Sequence, residues 1–243
     1  MRYDELEEVA DDDDLSELEV VAVEIGPRRL SFLGFWNTLV LRPKEFFEHY
    51  FQKGQSPYLF WVVLIVGVSR AMDRMEHQFL NAHLHGGLAR VQQANSWTMY
   101  WITAILSGLF GGAILYYLGG WWYDVRVGWA GGRRDRETSR FLYLYSAFIP
   151  SLLQVMAMVG NTVGDKQPFP HELEGIGLAL VFGTQVVATF YAVYVSYRGV
   201  RTVHELSRWG ARVWFLILPG LVYTLAFGGA IGLGWLIGVA GRG

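Results

Sequence analysis

The stretch "SRAMDRMEHQF", residues 69–79, sets Arg70, Asp73, Arg74, Glu76 and His77 within eight residues, directly after the uncharged run "YLFWVVLIVGV". On a helix, Arg70, Asp73, Arg74 and His77 fall at i, i+3, i+4 and i+7 and share one face. Asp73 is then within reach of both Arg70 and His77, and ionisable groups buried in a membrane mark a candidate functional site. The charges thicken toward the exit of the span, which favours an interfacial helix end whose charges pair or snorkel to the headgroups. Pro150, Gln154 and Gln185 are further interruptions of apolar sequence. A proline removes a backbone hydrogen bond, here to the carbonyl of Ser146, and Ser146 and Ser151 are near enough to help satisfy the freed groups. The two glutamines can hydrogen-bond between helices. His77, His83 and His85, beside Asp73 and Glu76, are donor types that suit zinc, but their spacing is irregular and no metal centre is expected.

Other chemistry is absent by inspection. There are no cysteines, which excludes disulfides, thiolate metal sites and thiol nucleophiles. "GWAGGRRDR" has neither the spacing nor the lysine of a P-loop, and no H-E-x-x-H occurs. Polar groups deep in the apolar segments are too few for an intramembrane hydrolase. The chain reads as a non-enzyme with no cofactor and no nucleic-acid partner.

The elements that must position these residues are apolar blocks of about 20 residues, the length of a helix crossing a ~30 Å bilayer core. They fall at 58–77, 99–121, 141–160, 176–197 and 213–238, within a chain that is 52% hydrophobic and 16% aromatic. The expected fold is all-α: a polytopic bundle of five transmembrane helices with cytoplasmic amphipathic helices, over 30–240. Residues 1–29 precede it as an acidic tail. Eleven acids and one base stand in residues 1–24, too much charge and too little apolar surface for a fold of its own.

Basic residues alternate along the chain as five spans require. Arg133, Arg134, Arg136 and Arg140 lie between the second and third spans, and Arg198, Arg201, Arg208 and Arg212 between the fourth and fifth. By the positive-inside rule these loops and the N-terminus are cytoplasmic and the C-terminus is outside. The eight arginines are candidate docking groups for anionic lipid headgroups, for an acidic protein partner, or for the chain's own tail. Arg198, Arg201, Arg208 and Arg212 recur at helical spacing, so the fourth span is expected to continue into the cytoplasm as a helix. Before the first span, a helix over about 43–52 gathers Phe46, Phe47, Tyr50 and Phe51 on one face and Lys44, Glu45, Glu48 and His49 on the other. It can lie on the membrane surface or pack on the bundle. Ala104, Gly108 and Gly112 in the second span, and Gly228 and Gly232 in the fifth, offer small-residue faces for helix packing or a homodimer.

"LVLRPKEFFEHY" before the first span, "LYLYSAFIPSLL" in the third, and "YAVYVSYRGVRTVHELSRWGARVWFLILPGLV" across the last loop together resemble the bacterial branch of the Yip-domain family. The last of these matches a G-x-x-x-x-H-x-L-S pattern through Gly199, His204, Leu206 and Ser207, followed by Ala211 and Pro219. The resemblance implies a five-helix membrane protein with a cytoplasmic N-terminal region. Eukaryotic members of that family are associated with Rab-type GTPases and vesicle traffic, but no "DLYGP"-like segment stands here to carry Rab binding over. Seventeen arginines among twenty basic residues are compatible with a bacterial inner membrane. The function expected is a membrane scaffold that recruits proteins or lipids through its tail and arginine-rich loops. The alternative is a carrier of a small solute, an ion or a lipid, using Pro150, Gln154, Gln185 and the 70–77 charges, Arg70, Asp73, Arg74, Glu76 and His77.

Overall fold

The computed structural model describes residues 31–51, 58–84, 96–164, 168, 175–204 and 206–240. The acidic tail, and its expected docking on the arginines, lie outside the described residues. Helix α1 spans Phe32–Leu41, and α2 spans Pro43–Glu45 and continues as a π-helical turn, Phe46–Tyr50. The long helices are α3 (Leu59–Leu84), α4 (Trp97–Trp129), α5 (Arg136–Gly164) and α6 (Gly175–Val203). A short α7 (Arg208–Arg212) leads through a second π-helical turn, Val213–Ile217, into α8 (Leu218–Ala240). No strand occurs among the described residues. Trp97–Trp129, Arg136–Gly164 and Arg208–Gly229 are each long and apolar enough to cross a membrane. Phe110, Ile114, Val187 and Leu225 all point outward and exposed, the surface of a bundle solvated by lipid tails.

Lipid offers helices no hydrophobic gain on association, so contact must come from close backbone approach and hydrogen bonds. The α3–α4 pair shows the first. A Cβ on Gly67 would strike the Gly108 carbonyl, one on Gly108 would lie 2.6 Å from the Val68 nitrogen, and one on Gly112 2.5 Å from the Val63 carbonyl. Ala104 on the same stripe is fully buried. The small-residue face of the second span is therefore consumed inside the chain against α3 and is not free for a dimer. Gly228 and Gly232 of α8 meet nothing, and α8 packs chiefly on α6 and on the π-helical turn before it.

The helices before the first span pack on the bundle. Phe46 and Phe47 are buried, and Trp36 stacks on Phe148 of α5 with ring centroids 4.2 Å apart. Tyr191 of α6 donates its hydroxyl proton to the Val40 carbonyl. A Cβ on Gly199 would come within 2.8 Å of both Phe47 and Leu142, so that glycine is what lets α2 sit against α5 and α6. Lys44, Glu45, Glu48 and His49 remain exposed on the other face. Of the two placements open to this amphipathic segment, packing on the bundle is the one observed.

Three sequence expectations need correction. The stripe from Arg198 to Arg212 does not lie on one helix, because α6 ends at Val203 and Ser207 starts α7 by accepting from the Gly210 amide at 3.0 Å. The segment between the second and third spans is not all loop: α4 runs on past 121 to Trp129, so Asp124 and Arg126 are helical residues. The α5 helix is continuous through Pro150, but Ser146 spends its hydroxyl on the Tyr143 carbonyl at 2.9 Å and not on the carbonyl that the proline frees. The glycine seam makes a direct contrast. We predict that Gly108→Ala lowers stability by about 1–3 kcal/mol through overpacking, while Gly111→Ala, where a Cβ meets nothing within 4 Å, leaves it unchanged or raises it. Thermal unfolding in mild detergent measures both.

Candidate functional site

A cavity of about 530 Å³ lies between α3, α4, α5, α6 and the start of α8. Gln185 and Ser196, both on its α6 wall, stand eleven residues apart, about 16 Å along the helix at ~1.5 Å per residue. The polar lining therefore runs through about half the thickness of a ~30 Å hydrocarbon core.

One end is built by a relay of side chains. Ser69 donates to Gln154 Oε1 at 2.5 Å, and Gln154 Nε2 donates to Asp73 Oδ1 at 2.6 Å. The other carboxylate oxygen, Asp73 Oδ2, takes Arg70 Nη1 at 3.3 Å. The order is forced by chemistry: an ionised carboxylate only accepts, so the amide turns its nitrogen to Asp73 and its oxygen to the serine hydroxyl. The relay ties α3 to α5 across more than eighty residues of sequence. It also offsets the cost of placing two charges inside the helix pair. The Arg70 side chain is 56% exposed, so its ion pair with Asp73 is open to the cavity and not sealed in a core.

The other end is set by Arg126. Its guanidinium donates to the Trp214 carbonyl, lies 4.4 Å from the Phe215 ring centroid and 5.3 Å from that of Tyr123. No carboxylate pairs with Arg126 among the described residues. Tyr123 and Ser196 share a hydrogen bond between α4 and α6. Between the two ends the wall is Tyr143, Ser146, Pro150 and Ser151 from α5 with Gln185 and Thr189 from α6; Phe215, Pro219, Tyr223 and Phe227 close the last side. The charges lining this space are two arginines and one aspartate, so the cavity carries a net positive charge.

Arg70, Asp73, Pro150, Gln154 and Gln185 all line this one cavity. Arg74 and His77 do not; both are exposed on α3. His85 and the side chain of His83 lie outside the described residues. Among the described residues no group of three histidines and carboxylates is placed to hold a metal. The α3 helix continues past the charged stretch to Leu84.

The eight candidate docking arginines divide among several roles. Asp124 on α4 has a side chain only 1% exposed; it accepts Arg134 Nε at 2.9 Å and has Arg136 Nε at 4.0 Å. Arg140 packs over Tyr117 at 4.7 Å and Tyr116 at 5.4 Å. Arg212 lies over Trp209 at 5.9 Å. Arg198 and Arg201 line a separate hollow beside α2. Arg133 and Arg208 are exposed on the same end of the bundle. Asp135 caps α5 by accepting from the Glu137 and Thr138 amides. His204, buried at the end of α6, faces this cluster. Burial holds its imidazole below the ordinary value of 6.5, against the opposite pull of Asp135, the Arg133 backbone and Asp124.

Sequence reasoning takes Arg126 for a loop arginine and Tyr123 for a headgroup-level ring, and does not single out Asp124. The signal was there: Gly120, Tyr123, Val127 and Ala130 carry a buried stripe at helical spacing on past position 121.

A family model described as the Yip1 domain matches residues 36–231. No curated protein and no solved structure matches the chain.

The His204 environment sets a pH dependence with a definite sign. A histidine whose folded pKa is depressed leaves the unfolded chain holding more protons, so its contribution is intact above about 6.5 and is lost as pH falls toward the folded pKa. Wild-type protein should lose thermal stability between pH 7 and 5.5, and His204→Phe should flatten that part of the profile.

Proposed function

The chain belongs to the Yip1 domain family, and from that premise we propose that it is a non-enzymatic, five-span integral membrane protein that binds and carries an anionic solute in the cavity inside its bundle. The single observation that carries this reading is Arg126, a guanidinium lining an intramembrane cavity with no carboxylate to pair it among the described residues. Arg126 stands about one turn past the tryptophans that mark the headgroup level, so its unpaired guanidinium faces one mouth of the cavity, where it attracts an anion. The cavity volume lies within the ~300–1,000 Å³ range of small-molecule sites. The charged relay at Arg70 and Asp73 provides a second polar station in the same cavity. Half-exposed Trp122 and Tyr223 stand at the cavity wall, so the anion can also be the headgroup of an amphiphile entering from the bilayer. The concentration of basic residues at the end that carries α1, α2 and α7 supports a cytoplasmic N-terminus by the positive-inside rule.

A second reading, the scaffold, draws on a different surface. Arg133, Arg208 and Trp209 are exposed together with Arg212 at that end, a set suited to an acidic protein or lipid surface. Proteoliposomes separate the two. One arm loads the vesicles with inorganic phosphate and follows efflux; the other follows leaflet exchange of a fluorescent short-chain phosphatidylglycerol. We predict protein-dependent movement in at least one arm, reduced tenfold or more by Arg126→Gln. Absence of movement in both, with an acidic protein co-purifying through the arginine surface, would replace the carrier with the scaffold.

A further inference from the structure

We propose a second binding site, separate from the cavity, in which the phosphodiester of an anionic phospholipid sits between α2 and α6. A hollow of about 430 Å³ is lined there by Lys44, Glu48, Arg198, Arg201 and Thr202. Lys44 and Glu48 are 3.4 Å apart and neutralise each other, which leaves two guanidiniums in excess. Arg198 Nε is buried without a hydrogen-bond partner, and the guanidinium is steered over the Tyr194 ring at 5.8 Å. Arg201 is held from below by the Tyr197 hydroxyl at 3.3 Å. The two guanidiniums, one turn apart on α6, and the Lys44 ammonium from the first turn of α2 thus surround one space with donors, the arrangement that suits a phosphate and its spread of acceptor oxygens. Thr202 adds a hydroxyl.

What distinguishes a lipid from a free phosphate is the surface leading to the hollow. Val187, Phe190 and Tyr194 lie on the same stripe of α6 as Arg198 and Arg201, and are 69%, 36% and 41% exposed. From Val187 to Arg198 is eleven residues, about 16 Å at ~1.5 Å per residue, close to one leaflet of a ~30 Å core. An acyl chain lying along that strip delivers its headgroup into the basic hollow. None of these residues lines the intramembrane cavity, so the site stands or falls independently of the carrier reading.

The test is native mass spectrometry of the full chain in mild detergent, with equal amounts of phosphatidylglycerol and phosphatidylcholine. The site predicts retention of phosphatidylglycerol over phosphatidylcholine by tenfold or more. The double variant Lys44→Gln/Arg201→Gln changes two exposed side chains whose loss does not threaten the fold; it should reduce that retention at least fivefold, while Arg74→Gln, exposed on α3 and lining neither cavity nor hollow, leaves it unchanged. Equal retention of the two lipids, or full retention by the double variant, overturns the proposal. Glycerophosphoglycerol, which has the phosphodiester headgroup without acyl chains, forms a third arm. If it displaces the lipid at equal concentration, the apolar strip contributes nothing and the lipid assignment is wrong.

Discussion

Helices surrounded by lipid gain nothing by hiding apolar side chains from a solvent that is itself apolar, so they are held by close backbone approach and by polar groups that find partners in each other. Both devices are visible here, and they meet on α3. Its Gly67 face lies on Gly108 and Gly112 of α4, while Ser69 and Asp73, on neighbouring turns, bond to Gln154 of α5. This fixes the rotation of α3, and with it the direction in which Arg70 projects. Helix α8 has neither device on its described residues: Gly228, Gly229 and Gly232 meet nothing. It rests on α6 and leaves a gap toward α4 and α5, and the cavity occupies that gap.

The end of the bundle that carries α1 and α2 is organised by burial instead. Phe46, Tyr145, Phe148 and their neighbours form a continuous aromatic core there, and the residues that carry the family resemblance serve it. Gly199 admits Phe47, Leu206 fills the space beside Gly132, and Ala211 is fully buried. Asp124 draws Arg134 and Arg136 back onto α4, so the α4–α5 loop is folded down and not free to range. Gly131, at φ +81°, supplies the left-handed turn that this reversal needs. A loop that reads as a run of free positive charge is in part a structural clasp.

The limits of the sequence reading follow from what periodicity encodes. Ala104, Gly108 and Gly112 share a face because they are four apart, and that was legible; that the partner would be Gly67 was not, since one glycine makes no pattern. Asp73, Gln154 and Gln185 stood out as polar residues in apolar runs, but their convergence depends on how three helices are rotated about their axes. Arg198 to Arg212 kept helical spacing across a break, because periodicity survives an interruption of about one turn. The N-capping Ser207 was the local sign of that break. Arg126 was hidden by the tryptophans before it, which mark the headgroup level but do not end a helix.

The central claim is that a polar cavity reaches the middle of the bundle. The chain has no cysteine, so single thiols can be introduced without background. Thr189, midway along α6, lines the cavity, whereas Ile114, midway along α4, faces outward. The decisive measurement is the labelling rate of Thr189→Cys and Ile114→Cys in membranes by a small charged methanethiosulfonate, which reacts only where a thiolate can form in a polar medium. The account predicts that the thiol at 189 is modified and that the thiol at 114 is not. Equal inertness of the two would show that no polar path reaches the bundle's centre.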